Sequence, residues 1–182
     1  NSGRRVLLRE LNRAANEDTL TKTLSRRAFL QRSEAALAES AARDGVASLL
    51  MLDIDRFKRI NDEHGHAAGD TALIAIARQL AAVLRPQDLF GRMGGEEFAI
   101  LLPEISPEDA RGVAERVRAA CDQLELTLDD GRTIKVTTSI GLASGKAMQA
   151  SLQGLLKQAD DALYAAKREG RNRVIEAAPV AA

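Results

Sequence analysis

An apolar run that stops on two carboxylates constrains this chain more than any other feature. Residues 46–52 are mostly apolar, and Asp53-Ile54-Asp55 closes the run. A segment of that length and character reads as a buried strand. Its end then presents acids at the margin of a core. A second acid-bearing margin lies downstream, where residues 88–93 and 98–102 form two short strand candidates around Gly94-Gly95. A Gly-Gly pair between strands signals a hairpin, because both residues can take positive φ. Glu96 and Glu97 follow the pair directly.

The remaining segments supply helices. Residues 1–17 are charged, with Leu7, Leu8, Leu11 and Ala15 at near-helical spacing, which predicts a helix with a thin apolar seam or a disordered end. Residues 26–42 form a helix with Phe29, Leu30, Ala36 and Leu37 inward. Residues 56–63 form a short helix with Asp55 as its N-cap. Residues 68–84 place Leu73, Ile76, Ala77, Leu80 and Leu84 on one face. Ser106-Pro107-Glu108-Asp109 is a helix start, with a cap, a proline and acids at the positive dipole end. Residues 124–128 and 132–143 form a second hairpin around Asp129-Asp130-Gly131. Residues 151–169 form the last helix, with Gly170 past its end, and 174–175 an edge strand. The pattern is α/β (α+β), with helices flanking a central, mostly antiparallel sheet. The organisation expected is a linker helix over 1–17, one domain over 18–176 and a loose tail over 177–182.

Composition excludes several classes. The 182 residues carry 26 basic and 26 acidic side chains, so no general nucleic-acid binder is expected. Aromatics are 3% and Trp is absent, which leaves no stacking platform for single strands. Cys121, the only cysteine, forms no internal disulfide, in keeping with a cytoplasmic domain. No apolar stretch approaches the roughly 20 residues of a membrane span. The chain begins with Asn1, as expected of a piece of a longer protein.

The acids are the chemical candidates. Carboxylates at a strand end can bind Mg²⁺, which takes oxygen ligands; alternatively, Asp53 and Asp55 cap the following helix. Glu96 and Glu97 point to opposite faces of a strand, so one can meet a metal while the other meets solvent, and a merely polar hairpin is the alternative. His64-Gly65-His66 lacks the further ligands a zinc site needs. His66 and Asp70 read better as polar contacts to a base or ribose. Lys167 and Arg171, four apart at a helix end, suit phosphate contact or simple dipole pairing.

Together the segments DTLTKTLSRRAF (18–29), DIDRFKRINDEHGHAAGD (53–70), RMGGEEF (92–98), SIGLA (139–143) and ADDALYAAKREGRN (159–172) resemble the GGDEF family of diguanylate cyclases. The resemblance implies a fold like polymerase palms and nucleotide cyclases. It implies an enzyme that condenses two GTP into cyclic di-GMP and two pyrophosphates with Mg²⁺, or alternatively Mn²⁺. Asp53, the Ile54 carbonyl and Glu96 then match the metal ligands, with Glu96 and Glu97 the signature catalytic acids. Asn61 and Asp70 match the guanine-binding pair, and His66 matches a further substrate contact. Phe57, Lys58, Lys167 and Arg171 match the phosphate contacts. Each domain holds one GTP, so a two-fold homodimer is implied, governed by an upstream sensory or receiver domain. Arg85-Pro86-Gln87-Asp88 matches the family's RxxD product site, with Arg116 as a secondary contact, and a local surface ion pair is the bland alternative. The family usually carries Gly and Asn where this chain has Lys22 and Ser25. Competing readings are a degenerate receptor for GTP or cyclic di-GMP, and a cyclase of relaxed base choice. A polymerase palm is set aside for want of basic surface and length.

Overall fold

The computed structural model describes residues 2–178. The expected first helix residue Asn1 and tail residues 179–182 lie outside them. The elements run α1 (Ser2–Asn16), α2 (Arg26–Ala42), β1 (Val46–Ile54), α3 (Phe57–His64), α4 (His66–Ala81), β2 (Leu89–Gly94), β3 (Glu97–Leu102), α5 (Pro107–Asp122), β4 (Glu125–Thr127), β5 (Thr133–Lys135), β6 (Thr138–Lys146), α6 (Leu152–Arg168) and β7 (Val174–Glu176). The main sheet has five strands in the order β2-β3-β1-β6-β7, and β4-β5 form a separate two-stranded sheet. Only the β6–β7 pair of the main sheet is parallel. The fold class expected from the sequence is the one found.

Helices cover both faces of the main sheet, which is why β1 reads as a continuous apolar run. Side chains alternate between faces along a strand. Leu50, Leu52 and Ile54 of β1 therefore join Phe98, Ile100 and Leu102 of β3 in one core, completed by α4 and α5. Leu49 and Met51 join Ala99, Leu101 and residues of α2 and α6 in the other. By the same parity Asp53 falls on the α6 side, and Glu97, its register partner, falls there too. That parity decides where the acids meet the basic helix end.

Local chemistry sets the helix starts. Ser25, Ser106 and Ser151 each accept a backbone N–H from the first turn of α2, α5 and α6. Lys22 holds a left-handed φ of 61°, the conformation a glycine takes most freely. The usual family glycine is thus explained, and Ser25 replaces Asn as an equally competent cap.

The structure corrects several expectations. Asp55 does not cap α3: the N-cap position belongs to Arg56, in left-handed conformation and without a side-chain cap. The Asp55 carboxylate instead accepts bonds from Thr137 Oγ1 (2.6 Å), Ser139 Oγ (2.6 Å) and the Asn172 amide (3.0 Å). Neither Gly94 nor Gly95 adopts positive φ; the hairpin turns through Gly95-Glu96 after a register shift between Arg92 and Gly94. The second hairpin is broken, because Val136 and Thr137 separate β5 from β6, which joins the main sheet. The helix expected over 68–84 is α4, which begins and ends earlier than expected, after Gly65 with φ 88°. At the tail, Ala177 still donates to the Leu142 carbonyl at 2.7 Å.

No helix among the described residues is long and apolar enough to cross a membrane. The apolar seam of α1 stays open, with Val6, Leu7, Leu8 and Leu11 each more than half exposed. Cys121 is buried, and burial pushes its thiol up to about 12, so it stays unreactive.

Candidate active site

The site forms where β1, the β2–β3 hairpin and the end of α6 converge. The Asp53 carboxylate is only 8% exposed and accepts a bond from Lys167 Nζ at 2.8 Å. Burial raises its pKa from 3.8 to about 6; Lys167 opposes the rise, and the charges of Glu96 and Glu97 add to it. The hairpin tip is tied to β1 by the Ile54 amide, which donates to the Glu96 carbonyl at 3.3 Å. The Ile54 side chain is in the core, which leaves its backbone as the only candidate ligand group.

This donor set fits Mg²⁺. Asp53 is a buried acid held near two further acids, an arrangement that a divalent cation would relieve. Among the described residues no three His, Cys, Asp or Glu side chains form a closed metal cluster. Two carboxylates and a carbonyl are the partial shell that Mg²⁺ uses when waters and substrate phosphates complete it.

The flanks offer anion and base contacts. α3 starts without a side-chain cap, and the first amides of a helix have no intrahelical partner, which leaves those of Phe57 and Lys58 for an anion. Asn61 on α3 packs directly on Gly69 of α4, where an added Cβ would lie 1.9 Å from Asn61 Oδ1. The Asn61 Oδ1 atom is buried and has no hydrogen-bond partner. Asp70 and His66 on the same helix are exposed.

Lys167 and Arg171 do not share a helix face as expected. α6 ends at Arg168, and Arg171 follows in left-handed conformation (φ 64°). It lines a cleft of about 430 Å³ with Asp55, Arg56, Arg59, Lys135 and Asn172. Arg85 and Asp88 are bound to each other: Arg85 Nη2 and Nε reach Asp88 Oδ1 at 2.8 and 3.0 Å, and Nη2 also reaches the Pro103 carbonyl. Asp88 is 1% exposed against 34% for Arg85, so it aims the arginine rather than presenting itself. Arg116 is exposed on α5.

Sequence reasoning missed Thr137, Ser139 and Asn172, which hold Asp55 in place. The last two fall inside the SIGLA and ADDALYAAKREGRN segments, but only the fold brings them to Asp55. It also missed the ties that Arg26 and Arg92 make to the hairpin.

A family profile described as "Diguanylate cyclase, GGDEF domain" matches residues 15–173. The chain is 40% identical over 168 residues to diguanylate cyclase DgcM of Escherichia coli, covering 92% of this chain and 40% of that protein. It is 42% identical over 135 residues to diguanylate cyclase A of Treponema denticola, covering 74% of this chain and 36% of that protein. The chain thus spans about two-fifths of the length of these relatives. Among solved structures, the coiled coil and GGDEF domain of DgcB from Caulobacter crescentus, in complex with c-di-GMP, aligns with TM-score 0.91 at 32% identity. That alignment covers 97% of this chain and 93% of the other.

Proposed function

Because the chain belongs to the GGDEF family, we propose that it is a diguanylate cyclase domain, joining two GTP molecules into cyclic di-GMP with release of two pyrophosphates. The observation that carries the reading is the meeting of Asp53, Glu96, Glu97 and Lys167 at one strand end. The names of the relatives support the same chemistry.

Asp53 and Glu96, with the Ile54 carbonyl, would hold Mg²⁺ or Mn²⁺, which when bound neutralises the triphosphate and makes the attacking 3′-hydroxyl a better nucleophile. Lys167 and Arg171 bind phosphate oxygens, and the Phe57 and Lys58 amides cradle them at the start of α3. Asn61, with the exposed Asp70 and His66, reads the guanine, whose N–H groups are donors. Glu97 lies close enough to Asp53 to act on it electrostatically, and a cation bound there would be drawn by both acids. The signature acids speak against a degenerate receptor.

One domain supplies half a reaction site, so two copies must face each other. The open seam of α1 supports pairing. Product would return to Arg85, held ready by Asp88, with Arg116 adding a contact. The test is the rate of GTP consumption with Mg²⁺ across protein dilutions. A faster-than-linear rise with protein concentration is expected; strict proportionality in the dilute range contradicts the half-site reading.

A further inference from the structure

The hairpin tip that carries Glu96 has almost no packing of its own. A Cβ added at Gly94 or Gly95 would meet nothing within 4 Å. The tip is instead held by polar ties. Arg92 in β2 donates from Nε to the Gly95 carbonyl at 3.0 Å. Its Nη1 reaches both carboxylate oxygens of Asp18, at 3.3 and 3.2 Å. Neither side chain of this pair is more than about a fifth exposed. Asp18 is itself fixed, accepting from the Thr21 amide (2.9 Å) and Thr21 Oγ1 (2.8 Å). Arg26 adds a bond from Nη1 to the Met93 carbonyl at 3.2 Å.

The main chain follows the same route. Asp18 lies two residues beyond the end of α1. The Ser25 amide donates to the Asn16 carbonyl, the last residue of α1. Leu24 donates to Phe90 and accepts from the Arg92 amide, which docks the α1–α2 connection along β2. The end of α1 and the Glu96 tip therefore meet at one guanidinium.

We propose that Arg92 is a positioning residue that fixes the Gly95 carbonyl, and through it the Glu96 carboxylate beside Asp53, while Asp18 couples that grip to the end of α1. Its planar fork reaches two acceptors in different directions at once; a lysine ammonium on its flexible stem can satisfy the charge of Asp18 without holding Gly95. Arg92 touches neither substrate nor metal in this account. Its effect on metal binding rests on the cyclase reading, whereas its hold on the hairpin does not.

The test uses Arg92→Lys and Asp18→Asn. Amide hydrogen exchange over residues 93–97 is expected to quicken in both variants. In Arg92→Lys the thermal midpoint should stay near wild type, which separates positioning from folding. Mn²⁺ affinity, read by paramagnetic resonance with a non-reactive GTP analogue bound, should weaken about 10-fold, the usual size of an outer-shell effect. Affinity for the analogue in Mg²⁺-free buffer should hold, because Asn61, Asp70 and Lys167 are untouched. Wild-type exchange at the tip together with wild-type Mn²⁺ affinity in folded variants overturns the proposal. Failure of the wild-type domain to bind Mn²⁺ with the analogue would count against the cyclase reading, and the exchange measurement would still decide the role of Arg92.

Discussion

Lys167 Nζ sits 2.8 Å from Asp53 Oδ2, yet the Asp53 pKa still lies above its ordinary value, at about 6. Burial outweighs the lysine, and Glu96 and Glu97 work against it. The sign of the stability effect follows. The folded domain keeps a proton on Asp53 that the unfolded chain has released, so without divalent metal this residue costs stability as pH rises from about 3.8 through about 6. Asp53→Asn cannot ionise. Its thermal midpoint relative to wild type should climb across that window and level off above it. A pH-independent difference would refute this account of the site.

α6 approaches closely at Gly141 in β6. An added Cβ would lie 1.9 Å from the Ala159 carbonyl oxygen and 2.3 Å from the Leu163 amide nitrogen, both backbone atoms. Gly141→Ala must push α6 outward, and Lys167 moves with it. The expected cost is about 1–3 kcal/mol in chemical denaturation, as for overpacked cores, with Mg²⁺-dependent activity falling further than stability alone requires.

Asp55 should behave as a structural acid. Its carboxylate serves Thr137, Ser139 and the Asn172 amide, so Asp55→Ala strands those donors. A loss of about 1–3 kcal/mol is expected for each donor left buried without a partner. Denaturant titration checks this, and an unchanged midpoint would show that water replaces the carboxylate.

The sheet and its helices were legible because strand and helix periods are local: Ser25, Ser106 and Ser151 mark helix starts, and the β1 run marks a strand covered on both faces. The pairing of Asp53 with Lys167 was not, since 114 residues separate them and only the shared α6 face brings them together. Asp55 was misread as a cap because local rules favour an acid before a helix. The tertiary offer of two hydroxyls and an amide won instead. Arg171 was placed on the wrong face because α6 stops at Arg168, and the chain then turns through Gly170 at φ 122°.

Arg85→Ala should remove feedback while keeping catalysis. The arginine is the partly exposed member of its pair, and Asp88 is buried behind it. Calorimetric titration with cyclic di-GMP should show product affinity lost in the variant, with GTP turnover retained at low product. Unchanged product affinity would reduce Arg85 and Asp88 to a local ion pair, worth about 0–1 kcal/mol if it behaved as an exposed one.

The most direct test is the mass of what the concentrated domain makes from GTP with Mg²⁺, for wild type and for Glu96→Ala in parallel. Glu96 lies in the hairpin turn, outside both cores, so the variant should fold. Cyclic di-GMP and pyrophosphate from the wild type, with neither from Glu96→Ala, are the predicted result. Cyclic di-GMP formed at the wild-type rate by Glu96→Ala, or a concentrated wild-type domain that leaves GTP unconverted, would contradict the account.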